Sequence, residues 1–164
     1  MNDISEDMVC NVERHVVLVA PEIHWNTGNI GRTCLGAGAR LHLIRPLGFS
    51  LDSRQVRRAG LDYWEAVSPG IWESFDAFYE GMHPVEDEMA LFTKGACRSM
   101  WEMPHHRRLF LIFGSETAGL PPAILNRYAQ ACFRIPITRK IRSLNLSTAV
   151  GIALYESIRY VCHH

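Results

Sequence analysis

No stretch of this 164-residue chain approaches the ~20 consecutive apolar residues that a membrane-spanning helix needs, and its polar opening, MNDISEDMVCNVER, holds no signal-peptide h-region. CxxC pairs are missing too. The five cysteines, Cys10, Cys34, Cys97, Cys132 and Cys162, are scattered and odd in number, which argues against a disulfide frame or a structural zinc site and for reduced thiols in the cytoplasm. The histidine pairs His105-His106 and His163-His164 lack helical ligand spacing, so no metal is expected. Charge of one sign is also absent. Seventeen basic residues balance 17 acidic ones, which lowers the prior for a nucleic-acid binder but leaves room for a local basic patch. Neither GxxxxGK[ST] nor GxGxxG occurs, so a Walker loop and a dinucleotide fingerprint are excluded. Without repeats, low-complexity tracts or linkers, the chain is expected to be one domain over residues 15–164, after a polar segment, 1–14, that frays.

What the chain does contain is alternation. Residues 16–20 are a short β-branched apolar run bounded by Pro21, and read as a buried strand. Asn26 or Thr27 can cap a helix over about 29–35, closed by Gly36 and Gly38. Residues 41–44 read as a strand, 53–59 as a short helix stopped by Gly60, and 72–79 as a helix carrying Phe75, Phe78 and Tyr79. Strands follow at 89–92 and 109–113. Pro121 opens a brief helix, where its missing N–H costs nothing. A strand at 132–137 and a helix over 148–161 close the series; Val150, Leu154, Ile158 and Val161 make one apolar stripe on that helix. Apolar strands alternating with helices predict an α/β fold: a mostly parallel sheet flanked by helices.

In such sheets ligands gather beyond the carboxyl ends of the strands. Three loops placed there, PEIHWNTGNIGRT, GSETAGLP and TRKIRSLNLS, are rich in glycine, hydroxyl and amide groups. In the first, a helix N-terminus can offer N–H groups to an anion. Arg32, about one turn in, can fork onto a phosphate or carboxylate, or can sit on a solvated face. In the second, Gly114 permits close backbone approach to a ligand or a positive φ, and Glu116 is an acceptor; an ordinary strand-to-helix turn has the same composition. The third alternates Ser143, Asn145 and Ser147 with Leu144 and Leu146. Asn145 or Ser147 alone suffices as a helix cap, so the surplus polarity, Arg142 included, points to contact with something polar.

Taken in order, NTGNIGRTC, LIFGSETAGLP and IPITRKIRSLNLSTAVGIALYE resemble the three signature motifs of the SPOUT class of RNA methyltransferases, a likeness running over about residues 16–160. RRAGLDYWE, residues 57–65, is similar to the TrmL (YibK) group of that class, which 2′-O-methylates the wobble nucleotide of certain leucine tRNAs. The resemblance implies a deep trefoil knot in the C-terminal part, S-adenosylmethionine bent within the knot's loops, and a homodimer whose interface takes in the last helix and the first motif. It implies that Leu91 lines the cofactor pocket, that Gly114 and Ile135 meet the adenosyl moiety chiefly by backbone, and that Ser143 lies beside the cofactor. Thr93, Glu116, Leu120, Leu144 and Asn145 are implied as neighbours.

The same resemblance makes Arg32 the principal catalytic residue, with Asn26, Ser143 and Asn145 positioning the ribose. A guanidinium is a poor base, because it holds its proton too tightly to accept another. Arg32 is therefore expected to orient phosphate and stabilise developing negative charge. Arg54, Arg57 and Arg58, at i, i+3 and i+4, are expected to join Arg139, Lys140 and Arg142 in a basic track for a tRNA anticodon stem-loop. Some positions depart from the pattern: His24-Trp25 stands where two prolines are common, Ala118 where an arginine is frequent, and TRKI lacks an acidic residue. They flank the cofactor site and bear on the RNA target. The expected function is cytoplasmic 2′-O-methylation of the wobble nucleotide, position 34, cytidine or modified uridine, of leucine tRNAs, with no membrane and no metal. The alternatives are the same chemistry on another tRNA or rRNA site, a non-catalytic knotted RNA-binding module, and a small-molecule α/β enzyme using a nucleotide, against which the missing phosphate loop counts.

Overall fold

The computed structural model describes residues 12–51 and 63–163. Seven strands, β1 (Glu13–Val19), β2 (Arg40–Ile44), β3 (Gly70–Trp72), β4 (Met89–Phe92), β5 (Arg98–Ser99), β6 (Arg108–Phe113) and β7 (Cys132–Arg134), form one sheet in the order β3-β2-β1-β6-β4-β7-β5. Every pairing is parallel, so the carboxyl ends of all seven strands share one edge. The helices are α1 (His24–Gly36), α2 (Trp64–Val67), α3 (Phe75–Met82), α4 (Pro122–Arg127) and α5 (Leu146–His163).

The period of two along β1 divides the core. Val16 and Leu18 pack with Ile30 and Cys34 of α1 and with Val150 and Leu154 of α5. Val17 and Val19 point the other way, toward Phe75 and Phe78 of α3 and Tyr128 beyond α4. A sheet covered on both faces needs strands that are apolar throughout, which is why the central strands read as continuous hydrophobic runs.

Two polar devices are buried in this frame. The Arg14 guanidinium, 2% exposed, donates to Ser157 Oγ of α5 at 3.0 Å, to Ser157 O at 2.9 Å and to Arg107 O at 2.8 Å. Burial pulls its pKa down to about 10. The second device crosses three strands. The Trp72 indole N–H donates to His42 Nδ1 at 3.1 Å, His42 Nε2 lies 2.8 Å from His15 Nδ1, and His15 Nε2 lies 2.9 Å from Glu13 Oε1. Because indole can only donate, both imidazoles are neutral and hand one proton each along the chain toward the carboxylate. Desolvation lowers both histidine pKa values, that of His42 to about 4.

The structure departs from the sequence expectations where caps and edges decide. β1 opens at Glu13, inside the segment expected to fray, and Glu13 N donates to Arg107 O at 2.8 Å. The helix predicted over 29–35 begins at His24 instead, because its cap comes from a distant loop and not from Asn26 or Thr27. Gly38, at φ +66°, closes that helix as anticipated, with Ala39 N donating to Cys34 O at 2.8 Å. Trp72 ends strand β3, and the helix predicted from it starts at Phe75, capped by the Ser74 hydroxyl. The strand predicted over 132–137 stops at Arg134, where its neighbour β5 ends and Pro136 brings no N–H. The alternating run 143–147 is not a strand: α5 begins at Leu146, and Asn145 Oδ1 caps it by accepting from Ser147 N at 2.9 Å and Thr148 N at 3.4 Å. The helix predicted over 53–59 lies outside the described residues.

Candidate active site

The parallel register places the three loops. Phe92 of β4 pairs with Phe113 of β6 and with Phe133 of β7, and Leu18 of β1 also pairs with Phe113. Thr93, Gly114 and Arg134 therefore leave three neighbouring strands at one level, with the loop after β1 alongside. That loop starts under strain: Ala20 sits at φ +52°, a left-handed conformation that a side chain disfavours, just before Pro21.

A reciprocal clasp joins the first loop to the second. The Glu116 carboxylate accepts from Glu22 N at 2.7 Å, from Ile23 N at 3.1 Å and from Asn26 Nδ2 at 3.0 Å. In return, the Glu22 carboxylate accepts from Thr117 N at 3.0 Å and from the Thr117 hydroxyl at 2.7 Å. Glu116 thus caps α1, whose own N-cap position is Ile23 and whose first turn has no acidic residue. The third loop joins through Asn26, which is 8% exposed: its Oδ1 accepts from Asn145 Nδ2 at 3.0 Å. One helical turn on, Asn29 Nδ2 donates to the Ser147 hydroxyl at 3.0 Å. A single hydrogen-bonded chain, Glu116–Asn26–Asn145–Ser147–Asn29, holds all three loops together.

The cofactor candidates gather at this edge in different ways. Gly114 does not take a positive φ; a side chain there would begin 1.9 Å from Gly119 C and 2.1 Å from Leu120 N, so the glycine lets its own loop fold back on itself. The Ser115–Gly119 pair closes that turn with bonds of 3.2 and 3.0 Å. The side chains of Leu91 and Leu120 are spent in the core beneath α3 and α4, at 0 and 4% exposure, which leaves their main chain as what they can offer a ligand. Ile135 and Leu144 are half-buried, and Ile135 packs on the opposite core. Thr93 is half-buried, and its N–H donates to Phe133 O at 2.9 Å. Ser143 is exposed beside these residues in sequence, just before the capping Asn145.

Arg32 stands on the exposed face of α1, its guanidinium 5.7 Å from the centre of the Tyr63 ring. Tyr63 is a residue that sequence reasoning missed as part of the site. Its hydroxyl donates to Gly28 O at 3.0 Å, anchoring the ring against α1. Next to it, Trp64 packs so close to the helix that a side chain on Gly31 would begin 2.9 Å from it. Glu22 was missed too, although an acidic residue just after a strand, matched by Glu116 in the facing loop, was a signal available to pairing arguments. Arg139, Lys140 and Arg142 are all exposed in one turn of the third loop. Arg54, Arg57 and Arg58 lie outside the described residues.

Thr93, Gly114 and Ile135 follow the ends of three neighbouring strands, and Ser143 and Leu144 lie in the third loop. The SpoU rRNA Methylase family matches residues 13–155. A tRNA (cytidine(34)-2′-O)-methyltransferase of Burkholderia pseudomallei (strain 1106a) is 42% identical over 146 residues, which is 88% of this chain and 94% of its own. A solved structure described by the words "Structural insights into the 2-OH methylation of C/U34 on tRNA" is 40% identical, with a TM-score of 0.85 over 94% of this chain and 99% of its own. An AdoMet-bound rRNA methyltransferase from Sinorhizobium meliloti is 27% identical, with a TM-score of 0.72 over 91% of this chain and 57% of its own.

Proposed function

The chain belongs to the SpoU rRNA methylase family, and on that premise we propose that it methylates the ribose 2′ oxygen of nucleotide 34, cytidine or modified uridine, in leucine tRNAs, with S-adenosylmethionine as donor. The observation that carries this reading is the convergence of the three loops through Glu116, Asn26 and Asn145 at the carboxyl edge of the sheet. The names of relatives at about the same identity support position 34 as the target.

When bound, S-adenosylmethionine supplies an electrophilic methyl on a sulfonium. The chain's own work is alignment and charge stabilisation. Leu91, Gly114, Leu120 and Ile135 offer main-chain and apolar contacts, with Thr93, Ser143 and Leu144 beside them; Glu116 acts on this pocket by holding its loops. Asn26 and Asn145, already bonded to one another, fix the wall against which the ribose sits, and Ser143 is the exposed hydroxyl on that side. Held there, the donor would supply its methyl to the 2′ oxygen, and the proton that the hydroxyl gives up would pass to solvent water. The Arg32 guanidinium stabilises the negative charge that develops there and orients the adjacent phosphate. Arg139, Lys140 and Arg142, all exposed, supply a basic track for the anticodon stem-loop.

The reading includes a trefoil knot, a homodimer and a cytoplasmic setting. β6 enters the sheet between β1 and β4 after β5 has been laid at the far edge, and α5 returns to pack on β6, β1 and α1, an arrangement that favours a threaded C-terminal part. Leu35 of α1 and Ile152 and Tyr155 of α5 face outward at 43, 39 and 53% exposure, with the Tyr155 hydroxyl 3.9 Å from where a Gly36 side chain would begin. This joint face on the two helices is the surface a second copy would cover.

The test is methyl transfer from S-adenosylmethionine to purified leucine tRNAs, with methylation mapped along the RNA, on transcripts with and without a changed wobble base. A 2′-O-methyl at nucleotide 34 that depends on the wobble base is expected. Transfer to another position, or to ribosomal RNA alone, would move the target; no transfer to any RNA would overturn the reading.

A further inference from the structure

We infer that Trp25, with His24 beside it, is a stacking platform for an unpaired base of the RNA substrate, a role that rests on reading this site as one for RNA. Trp25 is 61% exposed in the first turn of α1, which leaves a broad π face open to a ligand. The His24 ring lies 4.3 Å from it, centre to centre, tilted by 40°, and Phe49 stands 6.5 Å beyond His24. The cluster is held in place from below. Glu116 pins the backbone at Glu22 and Ile23, and Gly48 N donates to Pro21 O at 2.9 Å. A side chain on Gly48 would begin 2.6 Å from Glu22 O, so only glycine lets the turn that carries Phe49 press against the start of α1.

The direction of the face identifies the occupant. Trp25, Asn29 and Arg32 follow one another at i, i+4 and i+7, and all three are exposed. At 1.5 Å of rise per residue, Trp25 and Arg32 are about 10 Å apart along the helix, the reach of one to two nucleotides. The order is aromatic ring, amide, then a guanidinium set over the ring of Tyr63. Past Arg32 the helix turns apolar at Leu35, where the face assigned to a second copy begins; from Trp25 to Arg32 it puts a π face at one end and a cation at the other, the combination by which single-stranded RNA is gripped through base and phosphate. With Arg32 at the reacting ribose, Trp25 meets the base of the target nucleotide or of its immediate neighbour in the loop.

The experiment measures affinity for two RNA probes, a 17-nucleotide hairpin with a seven-nucleotide loop and a blunt duplex of the same stem. It uses the wild-type chain, Trp25→Ala and Trp25→Phe. Loss of one base–aromatic stack, about 1–3 kcal/mol, weakens binding about 5- to 150-fold. Trp25→Ala should therefore weaken hairpin binding about tenfold, leave duplex binding within twofold and raise KM for tRNA more than it lowers kcat, while Trp25→Phe restores most of the loss. S-adenosylmethionine affinity by calorimetry and the oligomeric state by sedimentation should be unchanged. Equal hairpin binding by Trp25→Ala, equal losses on hairpin and duplex, or a change of oligomeric state would each overturn the inference. Wild-type chain that binds the hairpin in this manner but methylates no tRNA would leave the platform standing and remove the proposed reaction, whereas normal methylation with an unchanged KM in Trp25→Ala would do the reverse.

Discussion

Replacing Glu116 by alanine removes the cap of a helix that has none of its own. Two backbone N–H groups, those of Glu22 and Ile23, and the Asn26 amide lose their acceptor at once, across a loop 94 residues along the chain. An N-cap is worth about 1–2 kcal/mol, and hydrogen bonds to a charged acceptor run at about 1.5–3 kcal/mol, so a total near 3 kcal/mol is expected for the linked set. For a domain of this length each kcal/mol moves the midpoint by about 2–4 °C, which sets a fall in Tm of about 6–12 °C. Glu116→Gln keeps one oxygen acceptor but turns an NH2 toward a donor, and should show about half the loss. Thermal unfolding followed by circular dichroism reads the shift. A cycle with Asn26→Ala then isolates the pair, with a coupling of about 1 kcal/mol expected. Because the same carboxylate joins two loops of the pocket, S-adenosylmethionine affinity should fall together with Tm. A Tm within about 2 °C of wild type in Glu116→Ala would refute the clasp.

Other outcomes follow from the buried groups. Gly114→Ala forces a carbon onto the Gly119–Leu120 backbone, where only a shift of the whole turn relieves it; a loss of about 1–3 kcal/mol and of cofactor binding is expected, and calorimetry showing wild-type affinity would contradict it. His42 has a depressed folded pKa of about 4, and the His15 pKa is lowered as well, so the unfolded chain binds more protons on the acid side. Stability from this pair is complete above about pH 6.5 and is lost as pH falls toward 4, by about 3 kcal/mol for His42. Glu13, Arg40 and Arg108 are the charged groups acting on the pair. Denaturant midpoints that stay flat between pH 7.5 and 4.5, or a His42→Asn variant with the same slope as wild type, would count against it. Arg14→Met removes the donor to the side chain and carbonyl of Ser157 and one of the two donors to Arg107 O; a loss of about 2–4 kcal/mol, with faster hydrogen exchange in the second half of α5, is expected. Wild-type exchange there would show that the guanidinium does not tether the helix.

The sheet is legible in the sequence because its central strands are the apolar runs at 16–20, 41–44, 89–92 and 109–113, each buried on both faces. The edge strands are not. β3 has three residues and β5 two, too short to show a period, and Trp72 is placed in a strand by its bond to His42, which no local pattern encodes. The start of α1 is hidden for a similar reason, since its cap is Glu116. The three loops are legible by their composition, but their joints are not: the bond between the Asn26 and Asn145 amides links positions 119 residues apart, which no local pattern encodes. The alternation of 143–147 misleads because a cap followed by an amphipathic first turn also alternates polar and apolar residues for a few positions.

The central claim is that one pocket holds the methyl donor while Arg32 acts only on the transfer. Single-turnover methyl transfer to pre-bound leucine tRNA at saturating S-adenosylmethionine, compared between wild type and Arg32→Ala, tests it most directly. The account predicts a rate lower by at least about 100-fold, the typical effect of removing one charge-stabilising group, with cofactor affinity within threefold. A variant that transfers methyl at near wild-type rate, or that loses the cofactor along with the rate, would contradict it.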